Sequence, residues 1–182
     1  MNDSINLAVQ TIKAGKILFY PTESIFGLGC DPFNEAACKK INLLKKRTNK
    51  AGLICLISDI KHLNTLAAPL RKVDYEKIQH SALEHISWIL PAKSDLPPWL
   101  LGPNNSVCVR LSSDPSIKLL CDTLDQAIIS TSANEQGRPT ARSIDEAKAI
   151  FSEKIDYYLD LPLGNRTTAS KIYTLTGTVI RS

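Results

Sequence analysis

The chain is short of most features that announce a particular chemistry. No stretch approaches the roughly 20 apolar residues needed to cross a bilayer, which argues against a membrane-spanning segment. The opening MNDSINLAVQ lacks the basic start and long apolar core of a secretory signal, so a soluble cytoplasmic protein is expected. The five cysteines, Cys30, Cys38, Cys55, Cys108 and Cys121, are odd in number and include no CxxC pair. That spacing excludes a disulfide framework and a zinc site, and leaves reduced thiols acting as small core residues. There is no G-x-x-x-x-G-K-[ST] loop, and Gly27 and Gly29 lack the third glycine of a dinucleotide fingerprint. His62, His80 and His85 form neither an H-E-x-x-H pair nor a triad and read as solvated or capping residues. No G-x-S-x-G elbow exists, which argues against a serine hydrolase. Aromatic residues make up only 6% of the chain, too few for a visible platform on which single-stranded RNA would stack.

What remains is an ordinary soluble composition: 182 residues, 43% hydrophobic and 22% charged, with a net charge of +4. The length suits a single domain, 1–182, and needs no metal or disulfide to stabilise its core. Ser4 caps a first helix with Ile5, Ala8, Val9 and Ile12 on one face and Gly15 as its stop. Ile17–Tyr20 reads as a buried strand ended by Pro21. Asn34 caps a second helix, Leu53–Ile57 is a strand, and Asp59 opens a third helix that ends before Pro69. Residues 70–84 are helical but mixed. Ser87–Leu90 and Val107–Leu111 are strands separated by a long loop. Asp114-Pro115 starts a helix running to about Leu124, and Ala127–Thr131 is a strand. Ser143 and Glu146 form a capping box, Ile155–Leu161 is a strand, and the tail turns as a hairpin at Thr176-Gly177. The elements interleave without a repeating βαβ unit, which favours a mixed α/β sheet over a doubly wound one.

Four features carry chemistry. In KILFYPTESIFGLGCDP, Thr22, Glu23 and Ser24 come directly after a strand. Gly27 and Gly29 then leave one face of the next extended segment bare, either for close packing or for a ligand. The run Lys39–Lys50 holds six cations and no acid. Lys45 and Arg47 at its end suit a polyphosphate, as a point charge and a bidentate fork; the alternative is a solvated helix face. Arg110 lies inside a strand, with Ser106 just before that strand, and needs either an internal carboxylate or a ligand's carboxylate or phosphate. Ser130-Thr131-Ser132-Ala133-Asn134 puts polar side chains at a strand's C-terminal end, where open α/β sheets place ligands. Together these give hydroxyls, amides and cations without a general base, which suits phosphoryl or nucleotidyl transfer.

On these residues the chain resembles the YrdC/TsaC family of threonylcarbamoyl-AMP synthases. KILFYPTESIFGLGCDP matches the family's opening motif, Lys45-Lys46-Arg47 its K-x-R, and Ser132-Ala133-Asn134 its S-x-N. The three occur in the family's order, and the length resembles the family's short form. The resemblance implies a twisted, largely antiparallel α/β sheet with flanking helices around a large concave basic cleft. It implies synthesis of threonylcarbamoyl-adenylate from L-threonine, bicarbonate and ATP, with release of pyrophosphate. Partner proteins would then pass the threonylcarbamoyl group to tRNA. By position, Thr22 would contact threonine, Arg110 its carboxylate, and Ser130 would line the same pocket. Lys45 and Arg47 would hold phosphates, Ser132 and Asn134 would complete the ATP site, and Asn49, Ser106, Thr140 and Ser170 would be outlying nucleotide contacts. Magnesium would arrive bound through the substrate phosphates, with no metal cage of the protein's own.

The chain also departs from that pattern. Leu83-Glu84-His85-Ile86-Ser87 stands where the family has Pro-Gly-Pro-x-Thr. Thr48 replaces the proline after the K-x-R arginine, and Ala51 and Gly52 replace the cation or proline before the next strand. The competing reading is a non-catalytic RNA-binding module built on the basic run, whose binding would fall steeply with salt.

Overall fold

In the computed structural model, which describes residues 2–47, 53–166 and 168–181, the chain begins with α1 (Asn2–Lys13), β1 (Leu18–Pro21), β2 (Phe26–Gly29), α2 (Glu35–Leu44) and β3 (Ile54–Ile57). It continues through α3 (Lys72–His80), β4 (Ile86–Pro91), β5 (Ser106–Leu111), α4 (Pro115–Leu124) and β6 (Ile128–Ser132). Last come α5 (Ile144–Phe151), β7 (Tyr157–Tyr158), β8 (Lys171–Thr174) and β9 (Val179–Arg181). The class is mixed α/β. The elements gather into two compact units, one from residues 1–50 with 128–168, the other from 51–127 with 169–182.

The first unit is built on the β1–β2 hairpin. Leu18 pairs with Gly29 and Pro21 with Phe26, so Pro21 closes the strand as its last paired residue instead of ending it early. A missing N–H is tolerated at a strand end. β7 adds parallel to β1 and β6 antiparallel to β2, giving the order β7-β1-β2-β6. α1 buries Ile5, Ala8, Val9 and Ile12 as its spacing predicts. It starts at Asn2, so Ser4 lies within the helix and is not its cap. Asn34 does cap α2, accepting from the Ala37 amide at 2.9 Å. The expected strand Ile155–Leu161 shortens to Tyr157–Tyr158. Beyond it the chain becomes a strap held by backbone bonds from Gly164 to Thr22 and from Arg166 to Glu23. A side chain on Gly164 would begin 2.5 Å from the Glu23 carbonyl oxygen, so only glycine allows that approach.

The second unit holds β3, β5, β4, β8 and β9 in that order, with β3–β5 and β4–β8 parallel and β4–β5 and β8–β9 antiparallel. Asp59 caps as expected, but the element it opens is the 3-10 helix Ile60–Thr65 rather than an α-helix. Residues 72–84 divide into α3 and a 3-10 turn, Ser81–Glu84. The Trp88 indole donates to Ser81 Oγ at 2.8 Å, tying that turn to β4. Asp114 caps α4, accepting from the Ser116 and Ile117 amides. The tail hairpin turns at Gly177, whose φ of +92° is the left-handed region that favours glycine. Two histidines depart from expectation: His62 and His85 are buried, whereas His80 sits on the surface against the Glu76 carbonyl. All five cysteines are free and buried.

Candidate functional site

In the first unit the K-x-R and S-x-N motifs meet. α2 ends at Leu44, and the Lys45 side chain turns inward until it is 2% exposed. Its ammonium donates to the Ser132 carbonyl, to Asn134 O at 3.0 Å and Oδ1 at 2.9 Å, and lies 3.3 Å from Ser132 Oγ. Ser132 Oγ donates to Asn134 Oδ1 at 2.6 Å, and Asn134 Nδ2 donates to the Arg138 carbonyl at 2.6 Å. The Gln136 amide closes the ring on the Lys45 carbonyl. These partners are neutral dipoles. Burial, with a smaller push from the Arg47 charge, therefore lowers the Lys45 ammonium to about 7. Arg47 reaches Thr131 Oγ1 from Nη2 at 3.3 Å. Two cations thus converge on the C-terminal end of β6, where a polyanion would satisfy both.

Three further lysines of the basic run are paired with acids. Lys39 pairs with Glu35, Lys40 with Asp156 and Lys46 with Glu135, each at 2.8 Å or less. Acids brought in by the fold remove the bare basic stripe that the RNA-binding reading needs. Asn49 and Lys50 lie outside the described residues.

The two glycines of β2 divide the roles that the sequence left open. A Cβ on Gly29 would sit 2.7 Å from the Tyr20 ring and 2.8 Å from the Ile129 carbonyl. Tyr20 lies in that space, its hydroxyl donating to Ile129 O at 3.2 Å. Gly29 is therefore a packing glycine. A Cβ on Gly27 would meet nothing closer than 3.4 Å, and its neighbours would include Ser130 Oγ and Thr22 Cγ2. Gly27 leaves room beside two predicted substrate contacts. The Thr22 hydroxyl donates to the Ile25 carbonyl at 2.7 Å, which fixes its methyl toward Gly27. Thr140 lines a groove of about 380 Å³ together with Glu135, Arg138, Pro139, Glu146 and Ile150.

In the second unit Arg110 is 6% exposed on β5, between β3 and β4. Its Nη1 lies 3.2 Å from Nε2 and 3.4 Å from Nδ1 of His85. Ser170 is buried in a network of its own: its hydroxyl bonds Ser87 Oγ at 2.9 Å, and Arg181 donates to both its hydroxyl and its carbonyl. Ser106 turns its hydroxyl to the Pro103 carbonyl at 2.7 Å. Cys108 offers no nucleophile, because burial pushes its thiol up to about 12. Among the described residues no group of three or more His, Cys, Asp or Glu side chains could hold a metal ion.

These features can be set beside known proteins. The model of the family Sua5_yciO_yrdC, described as "Telomere recombination", matches residues 10–182. The chain belongs to the Sua5/YciO/YrdC family. The threonylcarbamoyl-AMP synthase of Nitrosococcus oceani is 37% identical over 171 residues, which are 94% of this chain and 92% of that protein. That of Pseudoalteromonas translucida is 38% identical over 174 residues, covering 93% and 91%. P. abyssi Sua5, solved in complex with L-threonine, superposes with a TM-score of 0.83 at 27% identity. That match takes in 94% of this chain but only 51% of Sua5, so the chain spans about half the length of that archaeal protein. E. coli YciO shares the fold, with a TM-score of 0.85 at 23% identity over 100% of this chain and 90% of its own.

Within the Sua5/YciO/YrdC fold several residues carry weight that the sequence alone did not assign. Thr131 is the Arg47 contact. Gly164 lets the strap cross Glu23, and Ser87 and Arg181 hold Ser170. A lone glycine in a polar loop carried no signal, and Arg181 joins Ser170 only through the β8–β9 register. His85, expected at the surface, is the neighbour of Arg110.

Proposed function

We propose that the chain, acting as one YrdC-like domain over 1–182, is a nucleotidyltransferase that makes L-threonylcarbamoyladenylate from L-threonine, bicarbonate and ATP. The Lys45 cluster carries this reading. A buried ammonium held by carbonyl, amide and hydroxyl oxygens, with a guanidinium close by, is a setting of preorganised positive charge that suits a polyphosphate. The names of the relatives, and the L-threonine in the Sua5 complex, support the choice of substrate.

Lys45 and Arg47 hold the triphosphate, and Ser132 and Asn134 keep the Lys45 ammonium aimed. Thr22, Gly27 and Ser130, in the first unit, are assigned to the threonine side chain; Arg110, in the second, is assigned separately, from its position in the sequence, to the amino-acid carboxylate, which a guanidinium takes as a bidentate fork. Ser106, Thr140 and Ser170 are outlying nucleotide contacts, with Asn49 proposed from sequence alone. Bicarbonate and the threonine amine give a carbamate and water. A carbamate oxygen then attacks the α-phosphorus, a new P–O bond forms, the bond to the β-phosphate bridge breaks, and pyrophosphate leaves. Catalysis is positioning and charge neutralisation, with no side chain acting as base. Magnesium enters with the triphosphate as part of the substrate. Transfer to tRNA falls to separate proteins, in the cytoplasm; among the described residues no helix is long and apolar enough to cross a membrane.

The test is pyrophosphate release by the purified protein, with mass-spectrometric detection of the adenylate. Release that needs threonine, bicarbonate and ATP together is expected. Release unchanged without threonine would reject the substrate assignment, and tight salt-sensitive RNA binding without ATP binding would favour the alternative module.

A further inference from the structure

We infer that His85 is a positioning residue, holding the Arg110 guanidinium in the orientation that receives the carboxylate of the amino-acid substrate. The inference rests on the carboxylate-binding role proposed for Arg110 and extends it to the side chain beside it. His85 is 5% exposed and sits alone between the 3-10 turn Ser81–Glu84 and β4. Its backbone is left-handed, φ 59° and ψ 46°. That left-handed turn brings the imidazole onto β5, beside Arg110.

Both ends of this short link are anchored. Ser81 Oγ donates to the Ile78 carbonyl and accepts from the Trp88 indole, each at 2.8 Å, and Ser113 Oγ donates to the Ala82 carbonyl at 3.4 Å. On the other side β4 is paired to β5 from Trp88 to Pro91. The imidazole is thus fixed by the fold rather than by its own rotamer freedom. The distances of Nη1 to the two ring nitrogens differ by little, 3.2 and 3.4 Å, although a single guanidinium N–H can point at only one of them. The guanidinium therefore lies against the N–C–N side of the ring as a whole. A planar cation resting on a planar ring is limited in its rotation as well as its place. An arginine side chain carries enough rotamer freedom that, unsupported, it would have to be ordered anew at each binding event. Held by His85, it presents a preset fork.

The test uses three substitutions chosen for the left-handed backbone. His85→Gly deletes the ring without strain at positive φ, His85→Asn keeps a polar side chain that tolerates it, and His85→Asp offers Arg110 a competing carboxylate. Steady-state kinetics with threonine and ATP varied separately should give a threonine KM raised about tenfold in the glycine variant, with kcat and the ATP KM unchanged. Asparagine should restore most of the loss, and aspartate should raise the threonine KM further than glycine does. Thermal melting identifies a glycine variant that folds poorly, in which case the aspartate variant decides alone. A threonine KM that moves less than about twofold in the deciding variant overturns the inference, as does an equal rise in the ATP KM. Arg110→Lys, measured alongside, separates the two claims. If it raises the threonine KM while the His85 variants do not, only the positioning role fails. If it too leaves the threonine KM unchanged, the carboxylate-binding role of Arg110 has failed.

Discussion

Two buried cations invite comparison, Lys45 in the first unit and Arg110 in the second. Lys45 is met by several oxygens, all supplied by the end of β6 and the loop after it. Arg110 rests against an imidazole delivered by the link between the 3-10 turn Ser81–Glu84 and β4. A lysine is a point charge that can be shared among several acceptors. An arginine is a fork whose value depends on orientation. One environment stores an undercompensated charge; the other stores a direction. The first suits a flexible polyphosphate, and the second a planar carboxylate.

The largest effect should come from emptying the lysine cradle. Lys45→Met is expected to lower kcat/KM by about 100-fold or more, the range seen when one preorganised donor to a developing charge is removed. Next, Arg110→Lys should raise the threonine KM by about tenfold or more, since one point charge replaces two charge-assisted bonds, while ATP affinity stays as it was.

The pH dependence separates the two cations further. The folded value of Lys45, about 7, lies below its ordinary 10.5. Between those values the unfolded chain holds the proton that the folded chain has released, so stability rises with pH across that window. Below pH 7 the cost of the buried ammonium is present in full. The melting point of the wild type relative to Lys45→Met should therefore climb from pH 7 toward pH 10. Bound polyphosphate reverses the preference, so ATP binding at pH 8 should take up a proton, read by calorimetry in buffers of different ionisation enthalpy.

The glycines give smaller contrasts. Gly29→Ala drives a methyl against Tyr20 and the Ile129 carbonyl and should cost about 1–3 kcal/mol of stability, measured by denaturant unfolding. Gly27→Ala meets only ordinary contacts, so the melting point should hold while the threonine KM rises. Reversal of that pattern would exchange their roles.

How much of this the sequence carried depends on the range of each interaction. Caps act within three residues, so Asn34, Asp114 and Ser143 were legible, and so was the apolar stripe of α1. The S-x-N and K-x-R motifs could be named apart, but their joining at Lys45 needed β6 laid beside β2. The basic run looked bare because Asp156 and Glu135, which pair with Lys40 and Lys46, are far away in the chain. The burial of His85 was invisible for a related reason. Nothing local reports that Arg110, 25 residues on, will pack against it. The overlong strand forecast at 155–161 failed because its apolar residues serve a strap bonded to β1 and the loop after it, not a ladder.

The division of labour between the two cations is tested by equilibrium binding of ATP and of L-threonine, each measured on Lys45→Met and on Arg110→Lys. A crossed pattern is expected: Lys45→Met loses ATP and keeps threonine, and Arg110→Lys loses threonine and keeps ATP. Wild-type ATP affinity in Lys45→Met, or loss of both ligands in either folded variant, would contradict it.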